Sequence, residues 1–67
     1  MMILAALVKK YEAEMAAAEA NIEVYMDNPV GIGEHPDLVA AVDSEMSKIA
    51  TARDKLNTLK EIWETVE

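Results

Sequence analysis

His35 is the single histidine of the chain, and Glu34, Asp37 and, across a short loop, Asp27 lie near it in sequence. An imidazole among carboxylates is the raw material of a zinc or other transition-metal site. One nitrogen donor with scattered oxygens is a poor set for zinc, however. Calcium would need about six to eight oxygens from a loop of set spacing, and no D-x-D-x-D-G pattern is present. His35 stands directly before Pro36, so it reads as a turn or cap residue, and no metal is expected.

Nucleophilic catalysis finds no better footing. The chain has no cysteine, and Ser44 and Ser47 lie at least nine residues from the histidine with no nucleophile motif around them. Glu12 and Glu14 are two residues apart, which on a helix turns their carboxylates to different parts of the surface. Gly31-x-Gly33 lacks the third glycine, the lysine and the preceding strand of a phosphate loop. A non-enzymatic chain without cofactors is the expectation. Nucleic acid is excluded as a direct partner by charge: Lys and Arg number 6 against 13 Asp and Glu, a net −7. The three aromatic residues Tyr11, Tyr25 and Trp63 lack the cationic surround of a base-stacking platform and read as core.

What remains to do chemistry is charge and apolar surface. Residues 11–47 contain no Lys or Arg and carry nine carboxylates, whereas 1–10 carry Lys9 and Lys10 and 48–67 balance four cations with four anions. A solvated face that keeps a small protein soluble explains this simply. The sharper reading is an acidic partner surface of Glu19, Glu23, Asp27, Glu34 and Asp37, facing a basic protein or the opposite end of a second copy.

These groups must be positioned by helices. Both prolines and both glycines fall within residues 28–36, so the breakers are confined to one loop. Pro29 disfavours helical angles at Asn28, which predicts a first helix over about 2–27. Pro36 suits the first position of a second helix over about 37–66, with Asp37 in its first turn and His35 or Glu34 as cap. Both segments repeat every seven residues. In the first, Met1, Val8, Met15 and Ile22 form one row and Leu4, Tyr11, Ala18 and Tyr25 the other. In the second, Val42, Ile49, Leu56 and Trp63 run beside Leu38, Glu45, Ala52, Leu59 and Val66. Such spacing is the signature of a coiled-coil seam. Glu45 alone breaks it, and Met46 is expected to turn in and cover it. Thr51, Thr58 and Thr65 recur on the opposite, solvated face.

The fold class expected is therefore all-α: an antiparallel two-helix hairpin, one domain over residues 1–67. Its seam pairs Tyr25 with Leu38, Ile22 with Val42, Ala18 with Met46, Met15 with Ile49, Tyr11 with Ala52, Val8 with Leu56, Leu4 with Leu59 and Met1 with Trp63. Val30 and Ile32 would plug the loop end. Ile3, Leu7, Met26, Val39 and Ile62 lie beside the seam and make the apolar face wider than one helix pair needs. A chain of 67 residues without disulfides is marginal alone. Dimerisation into a four-helix bundle would cover the excess, with the hairpins antiparallel so that the acidic loops lie apart. The apolar run Met1 to Val8 is too short to span a membrane and has no basic residues before it, so a cytoplasmic location is expected.

The stretch Tyr25-Met26-Asp27-Asn28-Pro29-Val30-Gly31-Ile32-Gly33-Glu34-His35-Pro36-Asp37-Leu38 resembles small acidic uncharacterised helical proteins of marine tailed phages of the cyanophage type. Lys48-Ile49-Ala50-Thr51-Ala52-Arg53-Asp54-Lys55-Leu56 is similar in tone, and the resemblance covers roughly residues 22–60. It implies a viral origin, with the host cytoplasm as location, and carries over no catalytic or binding residues. Two functional readings follow from the residues. One is a structural or protein-interaction module that self-associates through its apolar helical face. The other is a small acidic adaptor or inhibitor that binds a basic surface, as a nucleic-acid mimic would.

Overall fold

The computed structural model describes residues 2–27 and 37–66. Two helices account for them: α1, Met2–Asp27, and α2, Leu38–Val66. They pack on each other, and the described residues contain no strand. Helix α1 is rich in alanine, the best helix former, and has no internal breaker. It ends at Asp27, two residues before Pro29.

The start of α2 differs from the expectation. Asp37 is the cap itself and stands one residue outside the helix. Its side-chain Oδ1 accepts the Ala40 N–H at 2.8 Å. Its carbonyl accepts the Ala41 N–H at 3.2 Å, the first bond of the helical ladder. An aspartate three residues before an otherwise unpaired amide satisfies one of the donors left open at a helix start. Those two residues, Pro36, and the expected plugs Val30 and Ile32 lie outside the described residues, as does Met1 of the expected Met1/Trp63 pair.

Two cross-helix contacts fix the direction of packing. Tyr11 meets Lys55 and Asn21 meets Glu45. Ten residues forward along α1 correspond to ten residues back along α2, so the pair is antiparallel. Each of these partners lies two or three positions beyond the seam pairing, as flanking positions do. The molecule measures 50 × 16 × 14 Å, which fits helices of 26 and 29 residues lying side by side at ~1.5 Å per residue.

The core is thin. Among the described residues, Ala18, Ile49, Ala52 and Leu59 are the buried apolar side chains. Leu4, Val8, Tyr11, Met15, Ile22 and Tyr25 of α1, and Leu38, Val42, Leu56 and Trp63 of α2, are half-buried along the same line. Two of the four buried residues are alanines, one on each helix, which lets the backbones approach closely.

Met46 does not turn in to cover Glu45. It is 53% exposed, whereas Glu45 is only 5% exposed and occupies the seam position itself. A carboxylate can stay there because both its oxygens find donors. With Glu45 three residues after Val42 and four before Ile49 the seam spacing is intact, and Met46, one position on, faces outward.

Candidate functional site

The polar centre of the molecule is built around Glu45. Asn21 Nδ2 donates to Glu45 Oε1 at 2.8 Å from the facing helix. Lys48 Nζ donates to Oε2 at 2.8 Å from the next turn of α2. The Lys48 hydrogen bond, followed by that from Asn21, holds the Glu45 carboxyl below its ordinary value, and burial opposes them more weakly. A two-helix seam is thin, so water stays near even a covered carboxylate. The bond to Glu45, reinforced by its charge, holds Lys48 above its ordinary value. Each partner is thereby kept ionised. Such a Glu is a poor general acid, and such a Lys is a poor nucleophile at neutral pH.

This cluster borders an open groove of about 510 Å³ between the helices, lined also by Ser44, Thr51 and Lys55. Lys55 Nζ lies 5.5 Å from the centre of the Tyr11 ring, where its charge meets the π face. Thr58 and Thr65 bond the carbonyls of Asp54 and Glu61 at 2.9 Å, which turns their hydroxyls back onto their own helix. All three threonines are exposed, and Thr51 borders the groove rather than lying opposite the seam.

A second groove, of about 400 Å³, lies at the loop end and is apolar. Met26, Leu38, Val39, Val42 and Met46 line it, with Asp43 at its edge. Of these, Met26 is 70% and Val39 82% exposed. Of the expected acidic surface, Glu19, Glu23, Asp27 and Asp37 are exposed, with Asp37 committed to its cap. Glu34 lies outside the described residues, as does His35. Among the described residues no group of three His, Cys, Asp or Glu side chains is placed to hold a metal ion, and no helix is long and apolar enough to cross a membrane.

Sequence reasoning missed Asn21 and Lys48. A lone acidic residue in an apolar row calls for donors, and that signal was available. Positions 21 and 48 both flank the seam at the height of Glu45, one on each helix, so the heptads point to them once Glu45 is kept inside. No protein-family model matches the chain, no curated protein matches it, and no solved structure matches it.

Proposed function

We propose that the chain is a non-catalytic structural or protein-interaction module that self-associates through its wide apolar helical face, two hairpins forming a four-helix bundle. One observation carries the reading. Among the described residues, seven large apolar side chains (Met2, Ile3, Val24, Met26, Val39, Met46 and Ile62) are exposed, whereas two, Ile49 and Leu59, are buried. A helix pair that leaves more large apolar groups outside than inside gains by covering them. The held ion pair at Glu45 and Lys48 supports a structural role for the most polar part of the seam. A phage origin belongs to the same proposal and rests on the resemblance of residues 25–38. Sedimentation equilibrium tests the reading: a dimer mass at tens of micromolar is the expected result, and a monomer throughout that range overturns it.

A second reading, the acidic adaptor, is favoured by the absence of any Lys or Arg between Tyr11 and Ser47. A variant with Glu19, Glu23 and Glu34 changed to Lys should then lose binding to a basic protein partner in a host extract. Equal recovery of partners by both forms argues against it.

A further inference from the structure

We infer that a second copy of the chain docks on the face that carries Met26, Val39 and Met46, antiparallel to the first, with Ala16 and Ala50 at the two-fold axis. This rests on the self-association proposed above and names its surface. The loop-end groove brings Met26 of α1 beside Val39, Asp43 and Met46 of α2. Steps of three and four residues continue that line along each helix. On α1 it runs Met26, Glu23, Glu19, Ala16, Glu12, Lys9, Ala5, and on α2 it runs Val39, Asp43, Met46, Ala50, Arg53, Asn57, Lys60, Glu64. Positions so spaced share one side of a helix. Every one of these residues is exposed.

Three features fit a second copy. The first is area, taken over the whole elongated chain rather than over this face. The chain exposes 5150 Å², whereas a compact chain of 7.4 kDa would expose ~4,200 Å². The excess, roughly 900 Å², is close to the ~800 Å² that each partner buries in a standard interface. The second is shape at the centre. Ala16 is midway between Tyr11 and Asn21, and Ala50 is midway between their partners Lys55 and Glu45. The two alanines therefore stand at one height, and a two-fold axis through that height sets each against its own copy. Small side chains there let the helices approach closely.

The third is charge. The loop half of the face carries Glu19, Glu23 and Asp43, and the terminal half carries Lys9, Arg53 and Lys60 with Glu12 and Glu64. An antiparallel copy sets three anions against a half that is net positive, and does so twice. A parallel copy sets three anions against three. The opposite face, with Ser44, Thr51 and the ion-paired Lys48 around its groove, also exposes Ile3, Val24 and Ile62, but its charged residues Lys10, Glu14, Lys48 and Lys55 do not divide into an acidic and a basic half.

Because the chain contains no cysteine, single-cysteine variants report the arrangement directly. With a short bis-maleimide, Ala50→Cys should cross-link to its own copy rapidly, and Thr51→Cys and Val39→Cys slowly. Met46→Lys, which sets a cation against Arg53 of the other copy, should weaken the dimer at least about tenfold, and Thr51→Lys by no more than about threefold. Circular dichroism confirms that each variant stays helical, and Ala50→Lys replaces Met46→Lys if that variant does not. A dimer weakened by Thr51→Lys and indifferent to Met46→Lys overturns the choice of face while leaving self-association intact. Equal cross-linking rates at 39 and 50 overturn the antiparallel orientation. A wild-type chain that is monomeric overturns both this inference and the reading beneath it.

Discussion

Glu45 shows at the scale of one residue how a polar group is kept inside a seam. An unpaired buried carboxylate would be costly, but Asn21 and Lys48 supply a donor for each oxygen. Among the described residues no buried side-chain nitrogen or oxygen lacks a hydrogen-bond partner. Because its pKa is lowered in the folded chain, Glu45 contributes its full stabilisation above the ordinary value of 4.5 and loses it as pH falls through the lower folded value. Lys48 is the mirror case. Its contribution is complete below the ordinary value of 10.5 and is lost as pH rises through the higher folded value. Glu45→Gln should therefore be less stable than the wild type at pH 7, and the gap should close as the pH drops below 4.5. Urea midpoints followed by circular dichroism measure this, and a gap that is constant with pH would show that the ionised carboxylate plays no part. The anomaly of Glu45 was legible in the apolar row. Its solution was not, because the main donor across the seam stands 24 residues away and nothing local ties the two together.

At the scale of the element, the heptads carried nearly all the information. A seam between two helices is a one-dimensional object, so the alternation of three and four residues maps onto it without knowledge of the rest of the fold. Helix starts are harder, because adjacent residues compete for the role. Pro36 and Asp37 are each good at a different position, Pro as the first helical residue and Asp as the cap. Only one assignment can hold, and the 2.8 Å bond from the Ala40 amide to Asp37 decides it. Removing that acceptor leaves an amide of the first turn to water alone. Asp37→Ala should cost about 1 kcal/mol, which in a domain this small lowers the melting temperature by roughly 4–8 °C. Asp37→Ser, which can still accept the bond, should keep most of the stability. If thermal unfolding shows the two variants equally destabilised, the side-chain bond is not the source of the effect.

At the scale of the whole molecule, composition made the amount of uncovered apolar surface legible but not its location. The excess of apolar residues over one seam can be counted in the sequence. Which of them remain outside depends on whether Glu45 or Met46 points inward, and the hydrogen bonds of Glu45 settle that. The proposed antiparallel dimer has a consequence that only an assembly can produce. Lys9 and Glu23 belong to the same stripe of α1, seven residues either side of Ala16, so a two-fold axis at Ala16 sets Lys9 of one copy against Glu23 of the other. Within one chain they are ~21 Å apart along the helix, well beyond the ~8 Å screening length at physiological ionic strength. Any coupling between them must therefore pass between chains. Lys9→Glu and Glu23→Lys should each weaken dimerisation relative to what their effect on net charge alone predicts, and the double swap should restore it. Each exposed pair is worth ~0–1 kcal/mol, and the symmetry presents it twice, so the coupling measured by a double-mutant cycle of dimerisation constants should reach about 1 kcal/mol. Strictly additive effects would mean that the two side chains never meet. The helices of the dimer would then run the other way or use the other face.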